Sequence, residues 1–159
     1  AAVAVLLKQE KEGFSVFFVK RVENPVDPWS GQMAFPGGKR DARDVNLKQT
    51  VVRETLEETG INLLDRCRFL GVLSALLSRP RPDLRILPFV VLVEYEPQVT
   101  LSPRELTDSY WIPFRELVQS KAFVKFDFGE VPSYSVRNEV IWGLTYRILE
   151  DLFAVLKLS

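Results

Sequence analysis

Three glutamates fall within five positions of the stretch RETLEETGI, residues 53–61, with Arg53 ahead of them and Gly60 behind. On a helix, residues three and four apart share a face, so Glu54, Glu57 and Glu58 are expected to project together, with Val52, Leu56 and Thr59 on the packing side. Like charges at that spacing weaken a helix unless a cation offsets them. The only cation inside the cluster is Arg53. The plain reading is a solvated helix face. The chemical reading is a site for a hard divalent cation such as Mg²⁺, which takes oxygen ligands from a few carboxylates, waters and substrate phosphates. FPGG at 35–38 favours the chemical reading, because a glycine-permitted turn ahead of the helix lets backbone approach a metal or phosphate closely.

Bulk composition removes other chemistries. The chain of 159 residues contains no histidine and one cysteine, Cys67, which excludes histidine-based triads, an internal disulfide framework and a cysteine zinc site. Acid–base work falls to carboxylates, Lys, Tyr or metal-bound water. A single cysteine fits a reducing, cytoplasmic compartment. Lys plus Arg equals Asp plus Glu at 21 each, so no basic field is available to hold nucleic acid. The longest apolar runs, AAVAVLL and ILPFVVLV, fall well short of the roughly 18 to 20 residues that span a bilayer, so no membrane partner is expected. The first run lacks the basic flank of a signal peptide; the chain does not begin with methionine, which is compatible with a trimmed leading segment.

Elements to carry the acidic segment follow from periodicity and punctuation. Residues 1–7 and 14–21 read as a hairpin across the polar KQEKEG, and 22–32, broken by Pro25, Pro28 and Gly31, reads as a loop. MAFPGG reads as a brief strand stopped by Pro36 and two glycines. Residues 46–59 lack Pro and Gly and end at Gly60, which predicts a helix. Strands are expected near 67–77 and 86–95, joined by SRPRPDLR into a long hairpin. SYWIPFREL predicts a strand entering a short helical turn, and 121–135 reads as irregular. Ile141, Leu144, Ile148, Leu152 and Leu156 form the apolar stripe of a final helix that includes Trp142. Residues 1–159 are expected to form one α/β domain, an α/β/α arrangement around a mixed sheet.

The pattern G-x5-E-x7-R-E-U-x-E-E-x-G-U, with U aliphatic, is the Nudix box, and these residues resemble it. Gly38, Arg53, Glu54, Glu57, Glu58, Gly60 and Ile61 match. Asp44 stands where the first Glu belongs, eight rather than seven residues separate it from Arg53, and Thr55 replaces an aliphatic. Within the superfamily the chain is most similar to the coenzyme A diphosphatase branch, through Gly31, Phe35, Pro36, Gly37 and Gly38, through Arg21, and through IWGLTYRIL at 141–149. It departs from that branch at Asp27, where an arginine is usual.

The resemblance implies a Nudix α/β/α sandwich and Mg²⁺-dependent hydrolysis, with Mn²⁺ as a substitute, of a diphosphate bond in a nucleoside diphosphate joined to another moiety. It assigns Glu54, Glu57 and Glu58, helped by the Gly38 carbonyl, to the metal, Glu57 to catalysis and Arg53 to orienting a box glutamate. Glu105 resembles the family's further carboxylate as a base or metal ligand, although Asp108 lies nearby. Arg21, Arg79 and Arg81 are the cations available for substrate, the last two also being ordinary residues for a solubilising hairpin tip. Trp29, Trp111 and Tyr134 are the candidates to stack on a base, aromatics being more often core, whereas Trp142 is read as packing. The partner expected is a small nucleotide, with coenzyme A first and ADP-ribose or dinucleoside polyphosphates second. Relatives are often dimers, so a homodimer joins the expectations. A Nudix module that binds a nucleotide without turnover is the reading from a different class; the three retained glutamates weigh against it. An isomerase on this fold resembles a pattern needing Cys and His near the site, and messenger-RNA decapping would want a basic face.

Overall fold

A computed structural model describes residues 1–158. β1 (Ala2–Glu10) and β2 (Gly13–Arg21) form the expected hairpin, pairing from Leu7 with Val16 to Glu10 with Gly13, so the strands run further into the polar segment than hydropathy alone suggests. Alternate residues of both strands enter two different cores. Ala2, Ala4, Leu6, Phe17 and Val19 face one, and Val5, Leu7, Val16 and Phe18 face the other. Burial on both faces is why these strands read as continuous apolar runs rather than as alternating ones.

Beyond Val16 the two strands splay, and the segment carrying the double glycine fills the gap. β3 (Met33–Ala34) pairs with β2 at Val19 and Lys20, while β4 (Gly37–Gly38) pairs with β1 at Ala2 and Val3. Pro36 accepts a hydrogen bond from the Ala4 N–H at 2.8 Å, so the turn is stitched into the middle of the sheet. A Cβ on Gly37 would lie 2.1 Å from the Ala2 carbonyl oxygen, which makes glycine a steric requirement of this wedge.

α1 (Leu47–Thr59) starts at Asn46, whose side chain accepts from the Gln49 N–H, and stops at Gly60 in the left-handed region. It packs Val51 onto the first core. β5 (Cys67–Val72) and β6 (Leu76–Leu77) pair with β7 (Arg85–Val93), the expected long hairpin, and β7 runs parallel to β1. β8 (Leu106–Pro113) pairs with the outer edge of β2 and leads directly into α2 (Phe114–Val118). The mixed sheet and its two covered faces make the α/β/α sandwich anticipated from sequence.

Several readings change. Residues 121–135 are not irregular: β9 (Lys121–Phe126), β10 (Gly129–Val136) and β11 (Glu139–Ile141) build a separate three-stranded antiparallel sheet. α3 (Gly143–Leu156) begins after Trp142, which is its extended N-cap, and Ile141 belongs to β11. The buried stripe of α3 is Ile148, Leu149, Leu152 and Phe153, while Leu156 is exposed. On α1, Leu56 is exposed and the packed positions are Thr50, Val51, Thr55, Glu58 and Thr59. No helix among the described residues is long and apolar enough to cross a membrane.

Candidate active site

The glycine wedge and α1 meet across a cavity of about 290 Å³ lined by Arg21, Gly37, Gly38, Glu54, Glu58 and Glu105, among others. Glu58 is 3% exposed and accepts a hydrogen bond from the Gly37 N–H at 2.8 Å. Gly38 lets Glu54 come close, since a Cβ there would sit 2.5 Å from the Glu54 carboxyl carbon. Glu105 is brought in from the far side of the molecule by backbone bonds at the end of α1. The Glu58 carbonyl accepts from Ser102 N–H at 2.9 Å, and Ser102 in turn accepts from Glu105 and Leu106.

Arg53 is the organiser of the acidic helix. Its Nε and Nη2 donate to the two oxygens of Asp44 at 3.1 and 2.8 Å, and its Nη1 donates to Glu54 at 2.9 Å. Asp44 also accepts from the Thr50 hydroxyl and the Asp41 N–H, both at 2.9 Å. Asp44 thus clamps the loop to the helix across the eight residues that separate it from Arg53. These bonds, the Arg53 guanidinium first, hold the Asp44 carboxyl well below the ordinary carboxylate range.

Glu58 shows the opposite effect. Burial raises its pKa, and the facing Glu105 and Glu54 raise it further against the opposing Gly37 N–H. Burial likewise raises Glu54, with Arg53 counteracting. Two desolvated carboxylates beside a third resist carrying full negative charge together, which a bound cation would offset. Among the described residues no three acidic side chains stand preassembled as a metal cage. Mg²⁺ does not need one, because it keeps several waters and takes one or two carboxylates plus substrate phosphates. The donor set therefore fits a hard divalent cation in oxygen chemistry and in charge.

The sequence-predicted residues divide into three groups. Gly38, Glu54, Glu58, Glu105 and Arg21 line this cavity. Glu57 and Arg53 stand beside it, Glu57 with its side chain 56% exposed and 3.5 Å from Arg53. Arg79 lines a neighbouring cavity, and Arg81 turns onto Asp83 at 3.4 Å. Arg21 donates through Nε and Nη2 to Asp27 at 3.0 and 2.8 Å, so the residue that departs from the resembled motif holds a cation at the cavity wall. Of the aromatics, Tyr134 is fully buried and Trp111 packs on Phe17, which leaves Trp29 at the cavity. Sequence reading missed Arg147 and assigned Trp142 to packing alone; both line the neighbouring cavity. The signal for them was the polar residue inside an otherwise apolar helix start.

The NUDIX domain family matches residues 1–133 of the 159, and the chain belongs to that family. Among curated relatives, an uncharacterised protein of Schizosaccharomyces pombe is 35% identical over 108 residues, covering 65% of this chain and 33% of the relative. A peroxisomal coenzyme A diphosphatase of Caenorhabditis elegans is 37% identical over 90 residues, covering 56% and 38%. The chain thus spans about a third of the length of both. Among solved structures, the NUDIX domain of Shewanella oneidensis NrtR, complexed with ADP ribose, superposes with a TM-score of 0.64 at 18% identity, covering 98% of this chain and 86% of that one. That likeness bears on the fold.

Proposed function

We propose that the chain hydrolyses a diphosphate bond in a nucleoside diphosphate linked to another moiety, with Mg²⁺, or Mn²⁺ in its place, as cofactor. The observation that carries the reading is the meeting of Glu54, Glu58 and Glu105 in one cavity against the Gly37–Gly38 turn, with burial raising the pKa of the first two. Glu54, Glu58 and Glu57, with the Gly38 carbonyl, would hold the cation. When bound it would neutralise phosphate charge and acidify a coordinated water.

The chain's own residues have separate tasks. Arg53 holds Glu54 by a charge-assisted hydrogen bond and is itself held by Asp44, so the ligand carboxylate meets substrate in a set orientation. Glu105 is exposed at the rim and faces Glu58, where it would accept the proton of the attacking water. As that water's oxygen bonds to phosphorus, the bond from phosphorus to the bridging oxygen breaks, and the departing phosphate leaves as a dianion or monoanion. Arg21 faces the same space, held by Asp27, and its remaining N–H groups would donate to phosphate.

Coenzyme A or its thioesters are the first substrates of the proposal, supported by the name of the nematode relative and by Gly31 with residues 35–38. ADP-ribose and dinucleoside polyphosphates come second. The one-domain organisation over 1–159 and a homodimer belong to the same proposal, and sedimentation of the purified chain reads the dimer directly. So does a cytoplasmic setting, which suits Cys67, whose thiol burial pushes up to about 11 and keeps protonated.

The test is a product assay by chromatography and mass spectrometry on coenzyme A, ADP-ribose and diadenosine tetraphosphate, each with Mg²⁺ and with chelator. Metal-dependent release of phosphopantetheine and adenosine 3′,5′-bisphosphate from coenzyme A is the expected result. Cleavage of the other two alone moves the substrate and makes Asp27→Arg the next variant. No cleavage of any overturns the hydrolase reading in favour of a binding module.

A further inference from the structure

A second cavity, of about 600 Å³, adjoins the carboxylate cavity and shares Trp29, Gln32 and Leu144 with it as a common wall. Its remaining lining is of a different character. Trp142, Tyr146 and Phe128 supply aromatic surface, Arg79 and Arg147 supply two cations, and no Asp or Glu contributes. The two arginines come from separate elements, the loop before β7 and the second turn of α3, yet line one space. Neither makes an ion pair among the described residues. Arg147 gives one bond, from Nη1 to the Leu77 carbonyl at 3.0 Å, which anchors the guanidinium and leaves its other N–H groups free. Arg81, by contrast, is engaged by Asp83 and lines neither cavity.

The aromatic side is braced from behind. The Trp142 ring lies 4.5 Å from that of Phe126, which stacks on Phe128 at 5.1 Å with planes 10° apart. A volume of this size, mostly apolar, with a few convergent cations, suits a ring with an attached anion. Two unpaired guanidiniums without an acid between them select phosphate over a neutral group, because only a charged acceptor repays their desolvation.

We propose that this cavity is the subsite for the far half of the substrate: an aromatic base carrying phosphate beyond the scissile diphosphate, the ring held at Trp29 and Trp142 and the extra phosphate at Arg79 and Arg147. The assignment rests on the reading of the first cavity as the place of hydrolysis, and it makes the two cavities one groove. The extra phosphate has two sources, a phosphomonoester on the ribose or further members of a polyphosphate chain.

Equilibrium binding separates this inference from catalysis. Tryptophan fluorescence and calorimetry are run in chelator, where the unneutralised carboxylates of the first cavity repel phosphate, with AMP, adenosine 3′,5′-bisphosphate and ATP as probes. At least one of the two richer anions should bind about tenfold or more tighter than AMP, the bisphosphate if the phosphate sits on the ribose and ATP if it lies in the chain. Arg79→Gln touches no folded-state partner and should erode that preference by about threefold, and the double variant with Arg147→Gln should abolish it. Trp142→Leu should weaken all three probes together. Equal binding of all three probes, or a preference that survives the double variant with its circular dichroism intact, overturns the subsite. Glu58→Gln, which acts on hydrolysis, should leave the preference unchanged. A wild-type chain that shows the preference but cleaves nothing retains the subsite and loses the proposed activity.

Discussion

The two ends of the groove, joined at Trp29, Gln32 and Leu144, are constructed in opposite ways. At the acidic end the buried groups of α1 are restrained: Glu58 by the Gly37 N–H, Glu54 by Arg53, and Arg53 by a buried Asp44. At the basic end the cations are nearly unpartnered and the apolar surface is stacked aromatic, with Phe128 exposed. The acidic end holds its geometry before any ligand arrives; the basic end offers surface and cations that a ligand would organise. Under the proposed reading, preorganisation is concentrated where charge would change during reaction and absent where only recognition would be needed.

The comparison breaks first at Glu58. Glu58→Gln keeps an acceptor for the Gly37 N–H but removes the carboxylate, so turnover should fall by roughly three orders of magnitude, the scale of several kcal/mol of electrostatic stabilisation. The thermal midpoint should be unchanged or higher, because a desolvated carboxylate facing two others is replaced by a neutral amide. Steady-state kinetics and calorimetry read both. Glu57→Gln, at the exposed neighbour, should also abolish measurable turnover with the fold intact; normal activity would remove Glu57 from the metal set. A Glu58→Gln chain that is both inactive and strongly destabilised would mean that the acidic end is a structural knot and not a strained site.

Next in size is the wedge. Gly37→Ala places a methyl group against the Ala2 carbonyl, a backbone atom that cannot swing aside, so β4 must leave β1 or the sheet must open. The cost should be on the order of 1–3 kcal/mol, the range for forced overpacking, with activity lost by displacement of the Gly38 carbonyl. Urea denaturation alongside the product assay checks the two together. An alanine variant as stable as wild type would show that the glycine serves ligand approach alone.

A smaller effect sharpens the electrostatic side. Because Arg53 and its neighbours lower the Asp44 pKa, the folded chain binds that proton less readily than the unfolded one. The stabilisation is complete above the ordinary carboxylate value of about 4 and is lost as pH falls below it. The urea midpoint of the wild type should therefore drop between about pH 6 and about pH 3, and Asp44→Asn should start lower and drop less. An equal drop in both chains would assign the acid sensitivity to other carboxylates.

The same contrast explains what was legible in the sequence. Most of the acidic end lies within residues 37–58, where the helix period, the Asn46 and Gly60 caps and the double glycine are all local signals, while Arg21 and Glu105 arrive from a distance. The basic end draws on residues 28–32, 79–80, 128–132 and 142–147, which only the fold brings together. Its strands were hidden for a physical reason. In β9, Phe123 shares the exposed face with Lys121 and Lys125, so apolar character does not alternate even though burial does. Trp142 and Ile141 were absorbed into the final helix because their spacing to Leu144 suits a helical stripe, and periodicity does not register that the backbone is still extended at Trp142. Hydropathy ranks residue types and so puts Leu56 inside and Glu58 on the acidic face, whereas the fold exposes Leu56 and buries Glu58 against the Gly37–Gly38 turn.

Thr55 offers the finest test of that last point. It occupies the position of the resembled pattern where an aliphatic residue is usual, and it is fully buried. Its hydroxyl is the one buried side-chain polar atom without a hydrogen-bond partner among the described residues, whereas those of Thr50 and Thr59 on the same helix are both engaged. An orphaned buried hydroxyl costs about 1–3 kcal/mol, and valine replaces it with a methyl group of similar shape and similar helix propensity. Thr55→Val should therefore stabilise the chain by about 1 kcal/mol, about 2–4 °C in a scanning experiment for a domain of this size, with kcat unchanged. A gain in stability with full activity would separate the buried acid of this helix, kept for chemistry, from the buried hydroxyl beside it, which contributes nothing to either fold or site. A loss of stability would instead reveal a partner for the hydroxyl, and with it a polar network extending beneath α1 from the acidic end.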